Sequence, residues 1–421
     1  MPRSVGDSTL GRMRPLTDVR RALAAAALAA FAAFTSTTTL AATATLTDQA
    51  AAQAPTRDAA APAAPAIDRR QLLDYMQRIR DENDLPGLSV AIAVDGDIVF
   101  SEGVGYAELD NHTPATGRTV HNVGSVSKVL AVAGVMQLVE QGRVDLDATI
   151  RTYLPYYPEK RWPITVRQIL THTSGTRHYR QGEFGEYGLL RYRHFESFEE
   201  ATELWRDDPL LYEPGTRWLY SSHAMNLMHG IVEEVTGMGF EEYLRIHVFE
   251  PAGVFATQFD VPTRIVHNRG RGYVRDGRGE FVNADPEDPS YKYAGGGIIS
   301  TAEDLVRFAL AINDGTLLAP ETVAEMHRTQ IDPSVPEFVD DGEPRPLGHE
   351  QAIVWFIRTD QAGRRYPSHT GTVKGTRSFL GNWVDQGVVV ALQANALPFD
   401  SARYGEAIAQ MLLPPPERAG R

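Results

Sequence analysis

The β-prone runs of this 421-residue chain lie at its two ends, and that distribution limits the folds it can adopt. Near the start, residues 88–94 and 98–104 flank Asp95-Gly96-Asp97, two β-prone runs joined by a turn containing Asp-Gly, which predicts a hairpin. Beyond position 350 strand patterns return at 352–359, 366–372, 378–384 and 387–395. Helical spacing marks 67–83, through Leu72, Leu73, Tyr75, Met76 and Ile79, and a last helix at 399–413. A wide apolar stripe covers 125–141 and stops at Gly142, a C-terminal cap residue. The middle mixes short helices with Pro/Gly-rich loops, and Ser300 with Glu303 reads as a capping box. Strands and helices do not alternate, which argues against a doubly wound parallel sheet. The expected architecture is α+β: an antiparallel sheet built from both chain ends, flanked by helices, with a mainly helical lobe inserted at about 144–330.

Composition narrows the class. With 43% hydrophobic and 23% charged residues, the chain reads as a soluble globular protein. It contains no cysteine, which removes disulfides, thiolate metal sites and a cysteine nucleophile. A net charge of −13 disfavours a nucleic-acid partner. Residues 1–44 have the layout of a secretory signal peptide: five arginines, a 13-residue apolar run at 22–34, then small residues. The run is shorter than the roughly 18–20 residues a bilayer requires, so no stable membrane insertion is expected after cleavage. An uncleaved segment would act as an anchor. A low-complexity Ala/Pro-rich linker at 45–66 precedes the folded part at 67–414, and 415–421 reads as a disordered tail. Periplasmic or secreted placement follows from this layout.

The strongest local feature is Ser125-Val126-Ser127-Lys128, where a loop becomes an apolar helix. Only four lysines occur, Lys128, Lys160, Lys292 and Lys374, so a lysine in a motif stands out. Positions i and i+3 share a helix face, which brings the Ser125 hydroxyl near the Lys128 amine. A serine is a poor nucleophile until a base takes its proton, and a lysine serves only when burial or nearby charge lowers its pKa. Tyr220-Ser221-Ser222 precedes a second helical pattern ending at Gly237, and a phenol there could relay a proton. His369-Thr370-Gly371-Thr372 lies in a strand, where the glycine admits another backbone or a ligand. Taken singly, the last two motifs are also ordinary core, capping or strand-end features. Gly295-Gly296-Gly297 reads as a bend flanking a cleft, Ser127 as a packing or capping residue, and Lys292 as a surface or ion-paired lysine. No metal ligand set and no cofactor motif is present.

Taken in order, these motifs resemble the penicillin-binding-protein and serine β-lactamase superfamily, in its class C-like branch, over roughly residues 70–412. Leu170-Thr171-His172-Thr173-Ser174-Gly175 and the segment from Ser290 to Gly297 are similar to its mitochondrial β-lactamase-like members. The resemblance implies Ser125 as acylated nucleophile, Lys128 as general base and Tyr220 as proton relay. It implies an oxyanion hole from the N–H groups of Ser125 and Thr372, and substrate binding by Ser222, His369, Thr370 and Gly371. His369 stands where many relatives have lysine, and Ser222 where many have asparagine. The expected function is an exported serine hydrolase, peptidase-like, with β-lactamase or carboxylesterase action as alternatives. Its expected partner is a small peptide, ester or β-lactam substrate. Self-association, or a scaffold with vestigial chemistry, is the reading of another class.

Overall fold

The computed structural model describes residues 68–180, 183, 192–340 and 342–414. The signal peptide, linker and tail expected at 1–44, 45–66 and 415–421 lie outside the described residues. The main sheet has eight strands. They are β1 (Gly87–Val94), β2 (Asp97–Glu108), β3 (Thr113–Pro114), β4 (Glu350–Gln351), β5 (Phe356–Thr359), β6 (Arg365–Val373), β7 (Thr376–Trp383) and β8 (Val388–Ala394). Their order is β4-β5-β6-β7-β8-β1-β2-β3, and every pairing is antiparallel. The seam between the chain ends is β1 on β8, in register from Leu88↔Ala394 to Val94↔Val388.

All eight residues of β1 are buried, and they serve two cores by strand alternation. Leu88, Val90, Ile92 and Val94 join Leu72, Met76 and Ile79 of α1 (Arg69–Glu82) and Tyr404 and Ile408 of the last helix (Ser401–Gln410). Ala91 and Ala93 face the other way, toward the helical side. Their small side chains let helices approach the sheet closely. That second core holds α2 (Ser127–Glu140), α3 (Ser222–Thr236), the short α4 (Tyr293–Gly296) and α5 (Ala302–Asn313). The last helix is therefore α6. Helix α2 is buried nearly all round, from Ser127 to Met136, so the expected stripe widens to the whole circumference. It is the central rod of the helical side.

Three local expectations change. The strand expected at 352–359 begins only at Phe356; Ala352 to Trp355 form a tight turn, with Val354 at φ 66°, that drives all four side chains into the core. Periodicity cannot separate such a buried turn from a buried strand. The α5 cap shifts by one residue: Thr301 Oγ1 accepts from Asp304 N–H at 2.9 Å, while Ser300 belongs to a short strand. The helix expected from 125 starts at Ser127, preceded by a 3₁₀ turn at Gly124–Val126.

That turn is stitched to the sheet. The Val123 carbonyl accepts from Ser378 Oγ at 2.7 Å, and the Asn122 carbonyl from Thr376 Oγ1 at 3.0 Å. A Cβ on Gly371 would come within 1.8 Å of Val123 O. The Gly371→Ala variant must therefore push the turn off β6. Overpacking of this kind costs about 1–3 kcal/mol or more. Thermal unfolding of the variant should show a clearly lowered midpoint, and an unchanged midpoint would contradict this contact.

Candidate active site

Ser125 lies in the 3₁₀ turn and Lys128 in the first turn of α2, and at this i, i+3 spacing their side chains meet. Lys128 Nζ lies 2.9 Å from Ser125 Oγ and 3.0 Å from Ser222 Oγ, and it donates to the Gly295 carbonyl. Its side chain is fully buried. Burial, and then the nearby charge of Lys292, pushes the amine well below the usual lysine pKa. A neutral amine has two N–H bonds and one lone pair. The Gly295 carbonyl can only accept, Ser222 Oγ takes the second N–H, and the lone pair is left for the Ser125 hydroxyl.

The Gly295 carbonyl is itself held in place. Gly295 N–H donates to Asn226 Oδ1 of α3 at 2.6 Å, and a Cβ on Gly295 would meet that oxygen at 2.5 Å. The glycine triplet expected as a bend is this short helix. Lys292 is buried and ion-paired with the half-buried Glu287 at 2.8 Å. Gly295, Asn226 and Glu287 were not among the expected site residues; the compositional signal was the segment from Ser290 to Gly297. Ser127 packs as expected, accepting from Ile298 N–H at 3.1 Å.

Tyr220 is half-buried, with its ring centroid 5.0 Å from Lys128 Nζ. Burial raises its pKa to about 12, with hydrogen bonds to Ser125 and Ser222 pulling the other way, so the phenol keeps its proton. His172 brackets it. The His172 carbonyl accepts from Leu219 N–H at 2.8 Å and its Nδ1 accepts from Ser221 N–H at 3.0 Å, while the two rings lie 4.3 Å apart. His172 holds φ 61°, a left-handed conformation unusual for a residue other than glycine. Its place is structural, orienting the phenol. His178 Nδ1 accepts from Ser222 N–H at 3.1 Å.

The edge of β6 is the other wall. Strand β5 pairs with β6 only as far as Phe356↔Ser368, so among the described residues 369–373 have no strand neighbour on that side. Gly124, at φ 53°, lies so close that a Cβ would come within 2.6 Å of Thr372 N. The turn carrying Ser125 thus abuts the Thr372 backbone. Thr372 is exposed, and its Oγ1 accepts from Arg377. Thr370 is half-exposed and borders a cavity of about 810 Å³ lined also by Trp218, His349, Phe356 and Arg358.

Two features of this wall follow from its packing. The space above Gly371 is filled by the Val123 carbonyl, so the glycine admits another backbone, one of the two roles expected for it. His369 cannot supply a positive charge at ordinary pH: burial, and then nearby Lys128, push it down to about 3.

This fold and this constellation define a serine hydrolase of the β-lactamase and penicillin-binding-protein type. The sequence matches the Beta-lactamase family over residues 72–412, and the chain belongs to that family. The serine beta-lactamase-like protein LACTB, mitochondrial, of Homo sapiens is 28% identical over 393 residues, covering 73% of this chain and 70% of its own. Esterase EstB of Burkholderia gladioli is 26% identical over 372 residues, covering 79% and 93%. Among solved structures, the octameric penicillin-binding protein homologue from Pyrococcus abyssi matches with a TM-score of 0.71 at 25% identity, covering 82% of this chain and 78% of its own.

The buried amine has a stability consequence. Its folded pKa lies below 10.5, so between that value and 10.5 the unfolded chain binds more protons, and stability rises with pH. Thermal unfolding of the wild type and of Lys128→Met across this window should show the wild type gaining on the variant as pH rises. A constant or widening deficit would mean that the amine is charged in the folded protein.

Proposed function

We propose that the protein is an exported hydrolase that cleaves amide or ester bonds in peptide-type substrates through an acyl-enzyme on Ser125. The observation that carries this reading is the fully buried Lys128 amine 2.9 Å from the Ser125 hydroxyl, its pKa pushed well down by burial. Ser125 Oγ attacks the substrate carbonyl while its proton passes to the Lys128 lone pair. The carbonyl oxygen becomes an oxyanion facing the N–H groups of Ser125 and Thr372, at the end of the turn where it abuts β6. Tyr220, kept protonated by burial, gives its proton to the leaving group and regains one from Lys128. Water then releases the acyl group.

Ester cleavage uses the same parts, and the similarity to an esterase supports it. β-Lactam turnover is the weaker reading, because His369 offers no cation to a substrate carboxylate. Export rests on the basic and apolar pattern of residues 1–44. The octameric homologue supports self-association alongside catalysis.

Exposure to a fluorophosphonate, followed by intact-mass measurement, should give one adduct on Ser125 and none in Ser125→Ala. A wild-type protein left unmodified would end the catalytic reading and favour a scaffold. Lys128→Met should lower kcat/KM by roughly 10²–10⁴-fold, the usual worth of a positioned base. In the wild type, kcat/KM should hold at neutral pH and fall toward acid as Lys128 gains a proton. A rate that climbed on acidification would contradict a lysine base.

A further inference from the structure

A cavity opens where β5 stops pairing with β6. The last pair is Phe356↔Ser368, and Phe356 and Thr370 both line the cavity, whose volume is about 810 Å³. Three rings wall it. Trp218 and His349 lie 4.8 Å apart at 76°, and His349 and Phe356 lie 5.0 Å apart at 74°. Both pairs are edge-to-face, the arrangement that ring quadrupoles favour. The volume is that of a small-molecule site. None of these three side chains takes part in the acyl transfer.

Two observations tie the cavity to the reaction. Trp218 and Phe356 each lie 6.4 Å from the Tyr220 ring, measured between centroids, so the proton donor to the leaving group stands beside two of the three walls. Thr370 precedes Thr372 by two residues in β6, which at about 3.3 Å per residue is about 7 Å from the oxyanion donor. A leaving group directed toward Tyr220 and about one residue long therefore reaches this recess.

The lining does not select an ion. Glu350 is paired with Arg365 at 2.6 Å, and the remaining charges, Arg358 and Glu406, are opposite in sign. Glu406 accepts from the Tyr366 hydroxyl at 3.0 Å. The Arg358 guanidinium, exposed at the rim, enters no hydrogen bond or ion pair among the described residues. A guanidinium in that state can stack on the face of an aromatic ring.

We propose that this cavity is a subsite for an aromatic ring carried by the leaving group, walled by Trp218, His349 and Phe356 and closed at the rim by Arg358. The substrate class is then esters or amides whose alcohol or amine portion bears a benzene-type ring a short spacer beyond the scissile bond. This inference rests on the hydrolase reading and adds what the leaving side carries.

The test compares the ethyl, 2-cyclohexylethyl and 2-phenylethyl esters of N-acetylglycine. Their alcohols are close in acidity, so rate differences report how the group is held and not how well it departs. With the full chain at pH 7, kcat/KM for the phenylethyl ester should exceed that for the ethyl ester by about tenfold or more, the usual worth of burying a ring. It should exceed that for the cyclohexylethyl ester several-fold, since only the aromatic ring gains from Arg358 and the edge-to-face walls. His349→Ala should shrink the phenylethyl-to-ethyl ratio, and Arg358→Gln the phenylethyl-to-cyclohexylethyl ratio. Each ratio is taken within one protein, so a smaller folded fraction leaves it unmoved. A phenylethyl ester no better than either of the others, or ratios unchanged in both variants, overturns the proposal. Fluorophosphonate labelling separates the layers: if Ser125 is labelled and the phenylethyl ester has no advantage or is not cleaved, the subsite is wrong while the nucleophile stands. If Ser125 takes no label, the hydrolase reading itself fails and this inference falls with it.

Discussion

The approach of the Val123 carbonyl to β6 at Gly371 is the contact on which the rest of the site depends. It fixes the 3₁₀ turn against the sheet edge, with Ser378 and Thr376 donating to the turn's carbonyls. From that turn α2 runs into the helical core, so one short segment belongs to both halves of the architecture. Ser125 is held between a sheet edge and a buried helix without needing a flexible loop. Such rigidity is what a site requires when atoms must stay within hydrogen-bond distance through a reaction. Glycine is required on both sides of the contact: at Gly371 for the close approach, and at Gly124 for a left-handed backbone beside Thr372.

Electrostatics at the site follow from burial more than from charge pairing. Desolvation is the leading cause of the shift at Lys128, Tyr220, His369 and His178, and in each case it favours the neutral form. The result is a cluster of uncharged groups, a lone pair on the amine and a proton on the phenol, each in the state an acyl transfer needs. In a low-dielectric pocket the charges formed during reaction interact strongly with the few oriented donors. Opening the cleft to water would undo this by recharging the lysine.

The part of this arrangement legible in the sequence was the part encoded in short spacings. Ser125 and Lys128 three apart, the hairpin around Asp95-Gly96, and a main sheet drawn from the two chain ends all follow from local periodicity, and the sheet order joins them as expected. Boundaries were less legible. The Ser300-Thr301-Ala302-Glu303-Asp304 stretch holds two overlapping capping patterns, and the choice between them rests on a hydrogen bond of Ser300 with Thr257, 43 residues away in the chain. Trp355 and Val354 read as strand because they are apolar; only the core they plug shows that they form a turn. The Gly295 carbonyl was missed because a backbone acceptor has no side-chain signature, and Asn226, which positions it, lies inside an ordinary helical pattern. His172 carried a more readable signal, since a polar residue inside Leu170-Thr171-His172-Thr173 must find partners when buried.

Keeping Lys128 neutral is a task that nearby positive charge could perform, and here burial performs most of it. The second cation near Lys128 is Lys292, which lies behind the site: its side chain runs past Gly296, where a Cβ would stand 3.8 Å from Lys292 Cδ. Glu287 holds that ammonium at 2.8 Å, so much of its repulsion on Lys128 is cancelled and burial carries most of the shift. With the charge placed behind the glycine helix, the wall at position 369 is free to hold an uncharged ring. A lysine there would bring a second ammonium to the same buried space and would need an anion to neutralise it. A neutral histidine anchored through Nδ1 adds no charge there. Lys292 and His369, 77 residues apart in the chain, thus share one neighbour, Lys128, and burial leads the shift at Lys128 and at His369 alike.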